Sequence, residues 1–205
     1  MKDKSGTFDL ALEALVQTIP YVGGPLATLY FGHKQEKRFK RLESFYSELK
    51  EIIENITEEM PDISHHDPDE LSSIIENLHE KIETEHLEQK RNYYKIFYLK
   101  NLYTPVKHSN YDKRMLFLNI LSSLTPDQIG LLIFLVNQQS PVIDKTIRTP
   151  GVEQAVTLGH LSQLKLHGLV DSQLNGIIFG GAGNSIDELV QISSLGRDFH
   201  RFCLS

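Results

Sequence analysis

Residues 160–172 read HLSQLKLHGLVDS, and residues 192–203 read ISSLGRDFHRFC. In the first stretch, leucines recur at helical spacing and Gly168 follows them, at the position where helices commonly end in a left-handed residue. Leu169 and Val170 then begin a strand. The second stretch runs from a strand into a closing helix. Together the two stretches predict helix, hairpin and helix for the end of the chain.

The residues before this region predict further short elements. Residues 125–128, TPDQ, are typical of a helix start, because an N-cap hydroxyl is followed by proline at the first helical position. Paired glycine and asparagine signals indicate a long hairpin. The predicted elements are a helix over 129–136, a loop with Pro141, a helix over about 152–167, a hairpin with turn signals at Asn175-Gly176 and 180–184, a return strand over 188–192, and a helix from 194.

This order of elements resembles the winged-helix domains of bacterial proteins, over residues 125–205 or about two-fifths of the chain. The resemblance implies that the helix over 152–167 is the recognition helix and that the hairpin is the wing. It implies recognition of DNA or of another protein. The whole chain also loosely resembles small uncharacterised bacterial proteins of mobile or phage-defence regions, through IPYVGGPLATLYFG at 19–32 and the winged-helix tail.

The charge of residues 125–205 argues against the commonest use of such a domain. They contain five Lys/Arg and seven Asp/Glu, a balance of −2. Non-specific DNA affinity comes mostly from Lys and Arg contacts to phosphates. The candidate nucleic-acid contacts on the predicted recognition helix are Thr157, His160, Gln163 and Lys165, of which only Lys165 is basic. We therefore expect protein recognition, with DNA binding as an alternative.

Length and composition are those of an ordinary globular chain. The 205 residues are 40% hydrophobic and carry a net charge of −6, so no global field attracts nucleic acid. One cysteine, Cys203, excludes an internal disulfide framework and indicates a reducing compartment. No cleavable signal is expected. These features favour a cytoplasmic protein, with peripheral membrane association as an alternative.

The N-terminal region contains a charge-free stretch, ALVQTIPYVGGPLATLYFG, over 14–32. Its Pro and Gly residues interrupt a helix, so we predict a Gly/Pro hairpin over 8–32 and no membrane span. A basic run follows directly and would suit an anionic bilayer, whereas a bundle core suits the apolar part equally well. The candidate membrane or partner contacts are Tyr21, Val22, Leu26, Leu29, Lys34, Lys37, Arg38, Lys40 and Arg41.

Two long amphipathic helices are predicted next, over about 34–57 and 69–103, and they should pack antiparallel. A connecting helix over 105–124 would join this helical domain, residues 1–104, to the winged-helix domain over 125–205. The segment KRNYYKIFYLKNLY, residues 90–103, mixes aromatic and basic residues. Its helical spacing favours a core role over base stacking. The fold class is therefore mostly α, a helical hairpin or bundle followed by a winged-helix domain with one antiparallel β-hairpin.

Motifs for catalysis are weak. The loop SHHDPDE, residues 64–70, lacks the helical spacing of a zinc site, and GIIFGGAGNS, residues 176–185, is neither a Walker motif nor a dinucleotide fingerprint. We expect no enzyme activity, no metal and no cofactor.

Three hypotheses follow. The favoured one is a non-enzymatic interaction or regulatory protein that binds itself as a homo-oligomer, through coiled-coil-like helices, or binds another protein. The second is a membrane-acting protein of phage-defence type that inserts the 14–32 hairpin. The third is a DNA-binding transcriptional regulator.

Overall fold

Mostly helical secondary structure with a small antiparallel sheet is present in the computed structural model, which describes residues 33–55, 63–178 and 185–205. The predicted hairpin over 8–32 lies outside these residues. The helices of the described part are α1 (His33–Asn55), α2 (Pro68–Thr84), α3 (Glu88–Tyr103), α4 (His108–Ser123), α5 (Pro126–Val136), α6 (Gln154–Leu166) and α7 (Ser194–Cys203). The strands are β1 (Val142–Ile143), β2 (Val170–Ile178) and β3 (Ser185–Ile192).

The first two helices pack antiparallel, as their apolar patterns predict. The stripe of α1 is buried at three- and four-residue intervals, and it faces the buried stripe of α2. Arg41 donates to the carbonyl of Glu83, and Tyr46 contacts His79. Residue numbers therefore rise along one helix as they fall along the other. The buried stripes are Leu42, Phe45, Leu49 and Ile53 on α1, and Ile74, Ile75, Leu78 and Ile82 on α2.

The predicted single helix over 69–103 is wrong, because the chain breaks into α2 and α3 at residues 85–87. Glu85 adopts an extended conformation, with ψ of 121°. Its side chain accepts from the Leu87 N–H at 3.0 Å and pairs with Lys90 at 3.1 Å. These contacts replace helical hydrogen bonds, so neither Gly nor Pro is needed for the break.

The aromatic residues of α3 are core residues, as predicted. Tyr94, Phe97 and Tyr98 are almost completely buried. Phe45 and Tyr46 of α1 lie edge-on to Tyr98, with ring centroids about 6 Å apart. The periodicity of this segment therefore reflects packing within the helical layer.

The joint between α3 and α4 is held by buried polar groups. His66 Nδ1 accepts from the Val106 N–H at 3.1 Å, and its Nε2–H donates to the carbonyl of Leu102 at 3.2 Å. Arg114 donates to the carbonyls of Thr104 and Pro105. The helix predicted over 105–124 is thus α4, and the joint is fixed from both sides.

The C-terminal sheet has three antiparallel strands in the order β1-β3-β2, one more than the predicted hairpin. Strand β1 has only two residues, too few to show an alternating pattern in the sequence. Asn175-Gly176, predicted as a turn signal, lies inside β2 at a bulge between Leu174 and Gly176. Helix α5 begins as predicted, with a capping box between Thr125 and Gln128.

Helix α7 joins the C-terminal part to the helical layer. Phe202 lies 5.7 Å from Phe97 of α3, and Phe199 lies 5.5 Å from Phe117 of α4, measured between ring centroids. Buried residues from both parts form one contiguous core. The C-terminal sheet is therefore held against the helices through α7.

Candidate interaction surface

Helix α6 buries one side against the C-terminal core. Thr157, Leu161 and Leu164, at spacings of four and three residues, point inward. Gly168 follows the helix with φ of +71°, a conformation that favours glycine and turns the chain into β2. The opposite side of α6 is consequently presented to solvent.

The solvent side of α6 contains no charged residue. Its exposed positions share one side of the helix because they recur at three- and four-residue steps. They are Ala155, Val156, Gly159, Ser162, Gln163 and Leu166, which we name the α6 face. Leu166 is 77% exposed, and a Cβ added at Gly159 would meet no atom within 4 Å. An uncharged helix face that exposes large apolar side chains to solvent is typical of an interaction surface.

The lysine of α6 turns away from this face. Lys165 Nζ donates to Glu188 Oε2 of β3 at 2.5 Å, and this hydrogen bond lowers the pKa of the Glu188 carboxyl. Lys145 pairs in the same way with Asp187, at 2.6 Å. Both lysines are neutralised by acids of β3, so neither adds positive charge to the α6 face.

Strand β2 adds an exposed leucine beside this helix. Leu174 is 67% exposed, and its cross-strand partner is Glu188, the residue that holds Lys165. Cross-strand partners carry their side chains on the same side of a sheet. Leu174 therefore lies on the same side of the hairpin as Glu188, which Lys165 of α6 reaches.

The four predicted nucleic-acid contacts are placed differently from one another. Thr157 is 1% exposed, and its hydroxyl donates to the Glu153 carbonyl at 3.4 Å, so it is unavailable to a ligand in this conformation. His160 is half-buried, with Nδ1 fully enclosed. Lys165 is ion-paired, and Gln163 is exposed. Three of the four residues thus have inward contacts that helix periodicity alone did not indicate.

The predicted membrane or partner contacts fall partly outside the described residues. This applies to Tyr21, Val22, Leu26 and Leu29, and to the side chain of Lys34. Lys37 and Arg38 are exposed. Lys40 is exposed and pairs with Glu36 at 2.7 Å. Arg41 is half-buried and links α1 to α2 through its hydrogen bond to the Glu83 carbonyl. Arg41 therefore has a structural role that the charge run did not reveal.

No helix of the described residues has by itself the length and apolarity needed to cross a bilayer. Helices α4 and α5 reach that length and apolarity only together, and they are bent by 119° at the break between them.

Metal-ligating side chains are dispersed in the described part of the chain, which holds no group of three or more His, Cys, Asp or Glu suited to an ion. In the His65-His66 loop, His66 is buried and bonded to backbone, and burial lowers its pKa. Asp67 caps α2 by accepting from the N–H groups of Asp69 and Glu70. His66 and Asp67 therefore serve the fold.

The apolar positions of the α6 face were missed by sequence reasoning, which looked for polar groups able to read DNA. The absence of any charge over 154–164 was the signal that could have found them.

Comparison with known proteins identifies no family for the chain: no family model, curated protein or solved structure matches it.

Proposed function

We propose that this protein is a non-enzymatic interaction protein, and that its C-terminal part binds a second copy of the chain through the α6 face. One observation carries the proposal: the solvent side of α6 is uncharged and exposes Val156 and Leu166. An uncharged helix face that exposes two large apolar side chains is the kind of surface that a partner covers.

The arrangement of residues 125–205 supports a winged-helix domain as the scaffold for this contact. Its elements follow in the order α5, β1, α6, β2 and β3, and β1 pairs with β3 at the sheet edge opposite β2. In this scheme α6 is the recognition helix and the β2–β3 hairpin is the wing. A recognition helix buries one side and presents the other to solvent, which makes that side accessible to a macromolecule.

A protein partner suits α6 better than DNA does. A protein helix that lies in a DNA groove needs Lys or Arg side chains nearby that contact the phosphates on both sides of that groove. The one lysine of α6 is already paired with Glu188, and the exposed polar groups of the α6 face are Ser162 and Gln163. DNA recognition therefore remains the weaker alternative.

A second copy is a partner that the uncharged α6 face permits. Two copies, each with a net charge of −6, repel one another at long range, so a self-contact should add no repulsion between like charges of its own. The α6 face adds none. Gly159 lies near its middle and allows close approach of two helices, with Val156 and Leu166 on either side along the helix. Such a contact is self-complementary about a two-fold axis.

Size-exclusion chromatography with light scattering tests this proposal. We expect the wild-type chain to show twice its monomer mass, and Leu166→Glu to shift it to the monomer. In a symmetric contact Leu166 is buried in both copies, so one substitution removes two apolar contacts. Dimer affinity should therefore fall by about a hundredfold or more. Leu116→Glu on α4 is the matched control, because Leu116 is also exposed, at 45%, but lies on another helix.

The proposal fails if the wild-type chain is monomeric at all concentrations used. It also fails if Leu116→Glu dissociates the dimer as strongly as Leu166→Glu does.

Membrane action is the second candidate, because the exposed cations Lys37 and Arg38 closely follow the apolar segment 14–32. Basic residues beside an apolar segment attract anionic lipid headgroups. Flotation with anionic liposomes tests it: binding that Leu26→Glu together with Leu29→Glu leaves unchanged would remove this candidate.

A further inference from the structure

A groove of about 390 Å³ lies between α3, α4 and α7, away from the α6 face. This volume falls within the range of about 300–1,000 Å³ found for small-molecule sites. The groove runs along the line where α7 packs against the helical layer, so its walls come from distant parts of the sequence.

Positive charge is concentrated in this groove. Its lining includes Lys100, Lys113, Arg114 and Arg201, opposed by the single carboxylate of Asp198. The lining thus has an excess of three positive charges, although the whole chain has a net charge of −6. A local excess of this sign, set against an acidic background, attracts and holds small anions.

The single carboxylate is shared between two cations. Asp198 accepts from Lys113 Nζ at 2.6 Å and lies 3.8 Å from Arg201. Lys100 makes no ion pair with a carboxylate of the described residues. Lys113 and Arg201 therefore share one carboxylate and Lys100 has none, so the lining keeps positive charge with which a bound anion would pair.

The floor of the groove is a packed aromatic cluster. The rings of Phe117 and Phe202 lie 6.0 Å apart. Lys113 Nζ lies 5.6 Å from the centroid of Phe117, and Arg114 lies 5.3 Å from that of Phe202. Contacts between cations and ring faces restrain both side chains. Lys113 and Arg114 are consequently restrained before a ligand binds.

Arg114 supplies a fixed charge beneath the groove. Arg114 is 4% exposed, and its guanidinium donates to Asn101 Oδ1 and to the carbonyls of Thr104 and Pro105, which are all neutral acceptors. Burial lowers the pKa of Arg114 to about 10, as expected of a charge without a carboxylate partner in the described residues. A bound anion nearby would compensate this charge.

We propose that this groove binds a small ligand that carries phosphate groups. Phosphate bears about −1.5 to −2 charges at neutral pH and several strong acceptor oxygens, which matches a triply positive lining better than a single carboxylate does. Arginine and lysine are the side chains that recognise phosphate. The site is independent of the α6 face and of self-association through it.

Calorimetric titration of the full chain with inorganic pyrophosphate tests this site. Lys100→Gln and Lys113→Gln should each weaken binding about tenfold, since each removes one charged donor. Asp198→Asn should strengthen it about tenfold, because it removes a negative charge and releases Lys113 and Arg201. Lys37→Gln on α1 is the control and should leave the affinity unchanged.

The test is selective because two variants are expected to change the affinity for pyrophosphate in opposite directions. Lys113→Gln and Asp198→Asn break the same ion pair, so an ion pair that serves only the fold predicts shifts in the same direction. Shifts of the same sign, or the absence of saturable binding to wild type, would overturn the proposal. Binding to single-stranded oligonucleotide without binding to pyrophosphate would also overturn it, in favour of a nucleic-acid contact. Light scattering should show an unchanged oligomeric state in each variant.

Discussion

At the residue scale, Gly196 lies where α7 packs directly against the backbone at the start of the sheet. A Cβ at this position would clash with the backbone carbonyl of Leu169 and lie 2.5 Å from Ile192 Cδ1. We expect Gly196→Ala to lower the free energy of unfolding by about 1–3 kcal/mol, since backbone cannot yield to the added methyl group. Urea unfolding measures this change.

Gly130→Ala is the matched control for that substitution. Gly130 lies within α5, and an added Cβ would meet no atom within 4 Å. Alanine is favoured over glycine inside a helix by about 0.5–1 kcal/mol, so this variant should be slightly more stable. A Gly196→Ala variant as stable as Gly130→Ala would contradict the packing at the start of α7.

Also at the residue scale, His79 makes stability depend on pH. Burial lowers its pKa from 6.5 to about 4, so folded His79 stays neutral while the unfolded chain takes up a proton below pH 6.5. Stability should therefore fall as the pH falls from 6.5 to 4, by up to about 1.4 kcal/mol per pH unit. The loss over the whole window is at most about 3 kcal/mol.

Comparison of wild type with His79→Gln isolates this contribution. Glutamine cannot titrate, so its unfolding free energy, measured in urea between pH 7 and 5, should vary less than that of wild type. His66 and His200, whose pKa values burial also lowers, are present in both proteins and cancel. Parallel pH profiles would refute the assignment to His79.

At the element scale, Ser193 ties three elements together. Its hydroxyl donates to the Gly168 carbonyl at 2.7 Å and accepts from the Gly196 N–H at 2.8 Å, so it caps α7 and fixes the end of α6. Ser193→Ala should cost about 1–3 kcal/mol of unfolding free energy, because two backbone groups lose their partner where Ser193 is buried.

The neighbouring Ser194→Ala gives a control of the same chemistry. Ser194 is exposed and takes no part in the cap, so its substitution should change stability by less than about 0.5 kcal/mol. Thermal unfolding of the two variants side by side would decide the matter. Equal losses would mean that the cap of α7 contributes nothing.

At the scale of the whole molecule, the helical layer and the C-terminal part should unfold together. All eight tyrosines lie at or before residue 111, whereas the one cysteine is Cys203 in α7. The six tyrosines of the described residues lie in α1, α3 and α4, so their fluorescence reports on the helical layer. Cys203 is fully buried, and burial raises the pKa of its thiol, so its reaction with a disulfide reagent reports on α7.

We expect the two probes to give the same urea midpoint, because the core is contiguous from α1 to α7. Phe202→Ala should lower both midpoints together, with a loss of about 1–3 kcal/mol for this half-buried ring. Exposure of Cys203 at a lower urea concentration than the tyrosine transition would show instead that α7 separates first.

Sequence periodicity was sufficient for much of the fold, because helices with one buried side repeat their apolar residues every three or four positions. The stripes of α1 and α2 and the aromatic core positions of α3 follow from it, whereas the start of α5 follows from its N-cap threonine and the proline after it. Periodicity did not predict the break at Glu85. The Glu85 side chain pairs with Lys90 and accepts from the Leu87 N–H, and these contacts end the helix without a Gly or Pro to signal the end.

The candidate sites were likewise predicted in part from the sequence and decided in part by the tertiary structure. Composition and spacing by themselves determined a mostly helical chain, a charge-poor C-terminal part and a helix over residues 152–167. Tertiary structure decided which side of that helix meets solvent, and it paired Lys165 with a β3 acid that lies 23 positions further along the chain. It also assembled the cationic groove from Lys100, Lys113 and Arg201, because packing of α7 onto α3 and α4 joins charges that no local pattern connects.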